Sequence, residues 1–400
     1  MSQVSLQMRL ASEAMFVGAV AVYGYCFFVY NVVILGRVMA RLHDDALCVL
    51  LPLRVVFNTV WLLASWSFLR ARYSDPGRLP EAWREFVLES GPKLPIAPAR
   101  REWQPRKATM CLRCNFPRPE RAHHCAMCNR CILRYDHHCP WINNCVGFLN
   151  HKFFLLTSVY GWLLGIVVLA TLLPLMPQCI RSAVLWLRTN NLSRLDLIED
   201  SFADAVVIIT LGVLAMSSCM MLSSVLRIHL PLSFRNTTSV EDFYDNMANP
   251  FEQGGLLKNL AQIFGVKGPD WAVPIRPLQP ISDGVAFRYW NEVSNQDSSE
   301  GCQSVLDCLL EGDWDGDSVS ELGEAPRTGK QSYQEEWAKH YGVRNRHLPQ
   351  GLLQPGDAQL SLDSCQGDLR HEVTSQDFLS KLWNSFTLQR NGGMKRAVWV

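Results

Sequence analysis

Four long apolar runs dominate the hydrophobic pattern of this chain of 400 residues. They lie at 14–36, 46–69, 153–175 and 203–226. Each is long enough for a helix to cross the hydrocarbon core of a bilayer, which takes roughly 20 apolar residues. The rest of the chain is too polar to surround four such helices as the buried core of a soluble protein. The pattern therefore predicts a mainly α, polytopic membrane protein with four transmembrane helices.

Polar segments separate and follow these spans, and they divide the chain into seven parts. The predicted parts are a short N-terminus (1–13), transmembrane helices 1 and 2 (14–69), a linker rich in Pro and Arg (70–110), a cysteine-rich domain (111–152), transmembrane helices 3 and 4 (153–226), a segment with an apolar helical period (227–268) and an acidic tail (269–400). No apolar period is sustained from 280 to 375. We therefore expect the tail to be largely disordered.

Basic residues predict the orientation of the spans. Nine Lys or Arg residues precede the cysteine cluster in the 70–152 loop, among them Arg70, Arg72, Arg78, Arg84, Arg100, Arg101, Arg106 and Lys107. Because short cytosolic loops are enriched in such residues, we predict that this loop and both termini are cytosolic. The 176–202 loop, with an Asn191-Leu192-Ser193 glycosylation sequon, then faces the lumen. The expected location is the ER, the Golgi or the plasma membrane.

Charge and cysteine usage narrow the class of protein further. The chain has 38 basic and 37 acidic residues, so its composition does not indicate a nucleic-acid partner. The cysteine-rich segment lies between predicted membrane spans, and no recognition helix follows it in the sequence. Both features disfavour a zinc finger that binds nucleic acid. A reducing cytosol also disfavours disulfides, which leaves metal binding as the use of clustered cysteines.

Residues 111–145 hold seven of the fourteen cysteines and four of the ten histidines. Structural zinc takes four Cys or His ligands, supplied by closely spaced pairs such as Cys-x2-Cys. If Cys139 is held back, the other six cysteines and two histidines complete two Cys3His sites. The segment therefore predicts two structural zinc ions and one uncommitted cysteine.

Cys139 directly follows Asp136, His137 and His138. A cysteine becomes a nucleophile when a neighbouring base or cation favours its thiolate. His137 can take the thiol proton, and Asp136 can orient the imidazole. The alternative is that Cys139 is itself a zinc ligand and that Asp136 is solvated.

Several short motifs occur in order along the chain, both within the cysteine-rich segment and on either side of it. It runs through Asp75-Pro76-Gly77, Cys111-x2-Cys114, His124-Cys125-x2-Cys128-x2-Cys131, Asp136-His137-His138-Cys139, Asn144-Cys145, Thr238-Ser239-Val240-Glu241 and Asn249-Pro250-Phe251. This order resembles the signature of the DHHC protein S-acyltransferases, or palmitoyltransferases. The resemblance covers about residues 14–268, and Ser239 stands where that family has a second Thr.

The resemblance implies a role for each residue of the site. It assigns Cys111, Cys114, His124 and Cys131 to one zinc, and Cys125, Cys128, His138 and Cys145 to the other. Cys139 is the implied nucleophile, with His137 as base and Asp136 as its partner. Thr238 and Glu241 are expected to fix the loop under the site, or simply to cap a helix. Asn259 is expected to tie the C-terminal segment to the core.

Contacts with the acyl donor are also expected. Trp141 is placed to touch the acyl chain, or to act as an interfacial anchor. Arg121, with other basic residues, can receive the phosphates of CoA or attract anionic lipid. His123 has no ligand duty and is expected to help bind the phosphate-bearing carrier.

The implied activity is a two-step acyl transfer. A long-chain acyl group passes from acyl-CoA to Cys139, and then to cysteines near the membrane in membrane-associated proteins. The expected cofactors are two structural Zn²⁺ ions, with palmitoyl-CoA as co-substrate. The alternative is a catalytically silent membrane zinc protein that acts as an adaptor or chaperone.

Overall fold

The computed structural model describes residues 3–38, 46–177, 180, 181, 184, 195–289 and 330–343. The helices are α1 (Gln3–Phe28), α2 (Ala46–Tyr73), α3 (Glu81–Ser90), α4 (His151–Leu172), α5 (Leu195–Phe234), α6 (Leu256–Phe264) and α7 (Lys330–His340). A π-helical stretch, Val29–Val38, continues α1. The chain is mainly helical, as its hydrophobic pattern predicts.

Four helical segments are long and apolar enough to cross a membrane: Gln7–Gly36, Leu50–Tyr73, His151–Leu175 and Asp204–Phe234. They contain most of each predicted apolar run and confirm the prediction of four candidate spans. Helix α4 packs against both α2 and α5, and its span has the largest buried fraction of the four. The predicted lumenal sequon at Asn191 lies outside the described residues.

Polar side chains form hydrogen bonds between the candidate spans. The Tyr30 hydroxyl lies 2.9 Å from Thr171 Oγ1, which joins the π-helical stretch to α4. The side-chain amides of Asn31 and Asn58 donate to each other's oxygens at 3.1 and 3.0 Å. Such pairs stabilise helix contacts because their groups cannot bond to lipid.

The cysteine-rich region is built from very short strands. They are β1 (Ile96–Ala97), β2 (Ala108–Cys111), β3 (Phe116–Arg118), β4 (His123–Cys125), β5 (Arg130–Ile132), β6 (His137–Cys139) and β7 (Asn144–Val146). Strand β1 pairs parallel with β2, and the pairs β2–β3, β4–β5 and β6–β7 are antiparallel hairpins. Hairpins of this length are marginal on their own, so they need further support.

An asparagine with positive φ turns each hairpin. Asn115, Asn129 and Asn143 have φ values of 47°, 50° and 43°. Asn adopts this left-handed conformation more readily than most residues, because its short side chain can bond locally. The three hairpins therefore repeat one turn design, which the cysteine spacing alone did not reveal.

Two turns attach this region to the membrane helices. Asp75 Oδ1 accepts hydrogen bonds from the backbone N–H groups of Gly77 and Arg78, both at 2.9 Å, just after α2 ends. Asn144 Nδ2 donates to three carbonyl oxygens at the end of α2, those of Ala71, Arg72 and Ser74. The β6–β7 hairpin is thereby fixed to the end of α2.

Parts of the C-terminal region differ from the expected disordered tail. Val285 packs with Ala122 and Leu133 of the cysteine-rich region, and α7 packs on α3. Trp337 and Tyr341 of α7 are buried with Trp83 and Phe86 of α3. Aromatic burial holds these segments, and their order was not anticipated from the sequence. The rest of the tail lies outside the described residues.

Candidate active site and metal centres

The cysteine-rich region brings eight candidate ligands into two clusters. One consists of Cys111, Cys114, His124 and Cys131, and the other of Cys125, Cys128, His138 and Cys145. Within each cluster, all ligand atoms lie within 4.8 Å of one another. These are the two sets that the resemblance implies, and each can hold a metal ion.

The distances between ligand atoms fit tetrahedral zinc. Zn–S and Zn–N bonds of about 2.3 and 2.0 Å place S and N about 3.5 Å apart, and two S atoms about 3.8 Å apart. His124 Nδ1 lies 3.7, 3.3 and 3.9 Å from the sulfurs of Cys111, Cys114 and Cys131. His138 Nδ1 lies 3.8, 3.5 and 3.7 Å from those of Cys125, Cys128 and Cys145. Four protein ligands leave no open position, so both sites suit structural ions.

The two clusters join the three hairpins in series. The first takes ligands from the β2–β3 and β4–β5 hairpins, and the second from the β4–β5 and β6–β7 hairpins. His124 lies directly across from Cys131, and His138 lies across from Cys145. An ion in each site would fix the position of Cys139 at the end of β6.

Cys139 belongs to neither cluster and lies beside a histidine and a carboxylate. Asp136 is fully buried, and its Oδ2 accepts a hydrogen bond of 2.6 Å from His137 Nδ1. The other nitrogen of His137 is then available to Cys139, whose side chain is also buried. The arrangement is that of an orienting acid, a base and a nucleophile.

Burial and interactions with neighbouring groups shift the pKa values of Asp136, His137 and Cys139 in opposite directions. Burial lowers the pKa of His137, but its bonds to Asp136 and Cys139 outweigh burial and raise the pKa to about 10. Burial raises the pKa of Cys139, but the adjacent His137 brings it below its usual value. For Asp136, the neighbouring histidines outweigh burial and hold the pKa well below its usual range. The site therefore favours an imidazolium and thiolate pair.

Ser239 holds Asp136 from a distant part of the sequence. Its backbone N–H donates to Asp136 Oδ1 at 2.6 Å, and its hydroxyl donates to the backbone oxygen of Asp136 at 2.7 Å. The sequence singled out Ser239 only as a departure from the family pattern. Its role was missed because no spacing rule connects positions 103 residues apart.

Thr238 and Glu241 make the reciprocal bonds of a capping box. The backbone N–H of Thr238 donates to Glu241 Oε2 at 2.9 Å, and that of Glu241 donates to Thr238 Oγ1 at 3.3 Å. Glu241 also accepts two hydrogen bonds, of 2.7 and 2.8 Å, from Arg121. The reciprocal bonds close the turn that leads into a short 3₁₀ helix, Glu241–Phe243, and the Arg121 bonds connect the loop that carries Ser239 to the cysteine-rich region.

Arg121 lies away from any surface that a phosphate could reach. Its side chain is 1% exposed and is committed to Glu241 and to the backbone oxygen of Asn236. The rings of Phe251 and Phe287 lie 4.5 and 4.8 Å from its guanidinium carbon. This geometry speaks against the predicted CoA contact and gives Arg121 a structural role.

Two other predicted residues lie in the supporting structure. Asn259 Nδ2 donates to the carbonyl oxygen of Phe234 at 2.7 Å, and its Oδ1 accepts from the backbone N–H of Gln253 at 2.8 Å. It therefore ties α6 to the end of α5. His123 Nε2 lies 3.4 Å from the Tyr244 hydroxyl. Burial, with Arg118 and Arg121 nearby, lowers its pKa well below the usual value.

An apolar cavity of about 300 Å³ opens beside Cys139 and extends between the membrane helices. Its wall on α4 runs from Phe154 to Val168, about 20 Å at 1.5 Å per residue. Small residues line it, among them Gly18, Ala19, Gly161 and Ala215. Trp141, which is 44% exposed, stands with Cys139 at the cysteine-rich end. This space suits a long, flexible apolar chain attached near Cys139.

Comparisons with known proteins agree with this site. Residues 104–246 match the DHHC palmitoyltransferase family. The chain is 30% identical over 266 residues to "Probable protein S-acyltransferase 12" of Arabidopsis thaliana, and this alignment covers 66% of the chain and 87% of that protein. It is also 30% identical over 272 residues to "Probable protein S-acyltransferase 13" of the same plant, covering 67% of this chain and 86% of the relative.

Proposed function

The chain belongs to the DHHC palmitoyltransferase family, and from that premise we propose that it is a protein S-acyltransferase whose acyl carrier is Cys139. One observation carries the proposal. Cys139 stands outside both metal clusters, beside the His137–Asp136 pair and at the end of an apolar cavity. A cysteine with a purely structural role needs neither a base nor a cavity.

In the first step, the Cys139 thiol passes its proton to His137, while Asp136 holds the opposite ring nitrogen. The thiolate attacks the carbonyl carbon of a long-chain acyl-CoA. A new bond from Cys139 to the acyl carbon forms as the bond from that carbon to the CoA sulfur breaks. The leaving CoA thiolate takes the proton from His137, so atoms and charge balance.

The second step repeats this chemistry with a protein thiol. The substrate cysteine gives its proton to His137 and attacks the acyl carbon on Cys139. The Cys139 sulfur leaves and regains a proton. Because each step exchanges one thioester for another, positioning and thiolate formation supply most of the rate.

Zinc in the two clusters would have a structural role. Bound by the six cysteines with His124 and His138, the ions would hold the hairpins in place. The protein's own residues carry out every proton transfer.

The cavity is the proposed site of the acyl chain. Each buried CH2 group contributes about 0.8 kcal/mol, so a long chain gains much of its binding energy there. Trp141 is proposed to contact the carbons closest to the thioester, because it lines the same end of the cavity as Cys139.

The proposed protein substrates are membrane-associated proteins with a cysteine close to the bilayer. The position of Cys139 supports this, since its hairpin packs against Phe153 and Phe154 at the start of a candidate span. We further propose a cytosolic active site in an endomembrane or plasma membrane, on the strength of the basic 70–152 loop.

A transfer experiment tests both steps. Full-length protein in lipid vesicles is loaded with labelled palmitoyl-CoA, freed of excess donor and mixed with a membrane-anchored peptide that carries one cysteine. We expect label to leave the protein and appear on the peptide cysteine, but not on a matched serine peptide. A stable, untransferred label, or no label at all, would favour the silent zinc protein instead.

A further inference from the structure

One half-buried histidine of the candidate membrane helices lies against the Asp136 carboxylate. His229 is in the last turns of α5, and its Nδ1 is 3.3 Å from Asp136 Oδ2. Its side chain is 12% exposed. Polar residues that can ionise are costly within apolar helices, and they are usually retained for a function. The acyl transfer described above assigns His229 no role.

The Nδ1 atom of His229 is buried and forms no aligned hydrogen bond within the described part of the chain. A buried nitrogen without a partner costs free energy. Asp136 Oδ2 already lies close to it, and a small rotation of the imidazole would align a proton on Nδ1 with that oxygen.

Asp136 has room for this second donor. Its Oδ1 accepts from the Ser239 backbone and its Oδ2 from His137. An ionised carboxylate offers about four lone-pair positions, and full burial excludes water from the remaining ones. A donor from α5 would complete the set around Oδ2.

We propose that His229 is a positioning residue, which donates a second hydrogen bond to Asp136 Oδ2 and so keeps the carboxylate aligned with His137. This inference rests on the proposed function, since its consequence is the rate at which Cys139 is acylated. It also gives α5 a direct part in the active site: Ser239, just beyond the helix, and His229, within it, hold the same carboxylate.

Packing offers a different explanation of the same contacts. The His229 ring lies 5.0 Å from the His137 ring and 5.0 Å edge-to-face from that of Phe154, measured between centroids. Two substitutions separate the explanations. His229→Asn can place an amide N–H near the position of Nδ1 but loses the ring. His229→Phe keeps a ring but loses the donor.

The experiment measures acyl-enzyme formation in full-length protein in lipid vesicles, over a range of labelled palmitoyl-CoA concentrations. We expect His229→Phe to lower the maximal acylation rate about tenfold, with an unchanged half-saturating concentration. His229→Asn should stay within about threefold of wild type on the same reasoning. Ile228→Phe is the matched control, because Ile228 is exposed on the neighbouring position of α5 and should keep its rate.

Each other outcome overturns the proposal. Equal rates for His229→Phe and wild type would exclude a donor role. A variant order in which Phe is faster than Asn, or in which both are equally slow, would indicate packing alone. Metal content and melting temperature, measured on every variant, identify a protein that has failed to fold. If wild type itself acquires no label, the proposed function has failed, which differs from a labelled wild type with an unaffected His229→Phe.

Discussion

At the residue scale, the Asp136 carboxylate is the point on which the site depends. It is fully buried, and each of its two oxygens accepts a hydrogen bond, one from His137 and one from the Ser239 backbone. Removing a donor from a buried charge costs more than the bond itself contributes, because the charge cannot turn to water. Small changes around Asp136 should therefore affect the reactivity of Cys139 more than their size suggests.

Ser239 provides a conservative test of this dependence. Ser239→Ala removes the 2.7 Å bond to the backbone oxygen of Asp136 and keeps the backbone bond to Oδ1. We expect a loss of about 1 kcal/mol in positioning, and hence acylation about fivefold slower. Ser239→Thr keeps the hydroxyl and should remain near the wild-type rate. The measurement is the initial rate of label uptake from palmitoyl-CoA. An alanine variant as fast as the threonine variant would show that the hydroxyl has no such role.

At the scale of elements, three hairpins of three or four residues per strand cannot form a stable core by themselves. Metal binding is the proposed source of their stability, since ligand sites formed on folding convert binding energy into folding energy. Metal binding to the second cluster would therefore stabilise the β6–β7 hairpin, which carries Cys139.

Metal analysis distinguishes ligands from the nucleophile. We expect two zinc ions per chain in the wild type and in Cys139→Ser, because Cys139 lies in neither cluster. Cys114→Ser should retain about one ion and melt at a lower temperature, since it removes a ligand of the first cluster only. Zinc is counted on purified protein by elemental analysis. Loss of an ion from Cys139→Ser would make Cys139 a ligand and contradict the assignment.

The α7 helix is a second element that supports the cysteine-rich region. His340 Nε2 lies 2.6 Å from Glu120 Oε1, and Tyr289 donates to Glu120 Oε2 at 2.6 Å. Glu120 directly precedes Arg121, which binds Glu241 in the loop that holds Asp136. The contacts of α7 thus reach within one residue of the network that supports the active site.

Trp337 anchors this helix. Its indole N–H donates to Asp283 Oδ2 at 2.6 Å, and its ring is buried against Trp83 and Phe86. Trp337→Ala should cost about 3 kcal/mol or more and lower the melting temperature of the full-length protein. Glu336→Ala, at an exposed neighbouring position, is the control and should leave it unchanged. Equal melting temperatures would indicate that α7 does not support the fold.

Residue spacing anticipated part of this structure and missed the rest for physical reasons. Local spacing predicted two four-ligand sites and the Asp136–His137–Cys139 group, whereas the family resemblance implied which eight residues form the two ligand sets. The contacts of Asp136 with Ser239 and His229 span about a hundred residues. Arg121 seemed available to CoA because its partner Glu241 is equally distant in sequence. The burial of Trp337 depends on α3, which no periodicity in the acidic tail reveals.

At the scale of the whole molecule, the chain joins a cysteine-rich region to a set of apolar helices, and the proposed acyl transfer needs both. The cysteine-rich region holds a thiol, a base and a carboxylate, while the helices enclose an apolar cavity that ends at the same thiol. Phe16, Phe68 and Phe154 of three candidate spans pack in one cluster with Cys139 and Ile142. The proposed sites of acyl-chain binding and of thiol chemistry therefore meet at one place, the surface at which the cysteine-rich region rests on the helices.

The site and the lability of the acyl group test the role of Cys139 most directly. Full-length wild-type protein is incubated with labelled palmitoyl-CoA and then digested, and the labelled peptide is identified by mass spectrometry before and after neutral hydroxylamine. We predict about one label per chain, on the peptide that contains Cys139, removed by hydroxylamine as expected of a thioester and absent from Cys139→Ser. Equal labelling of the serine variant, or a hydroxylamine-labile label on another cysteine, would contradict the central role of Cys139.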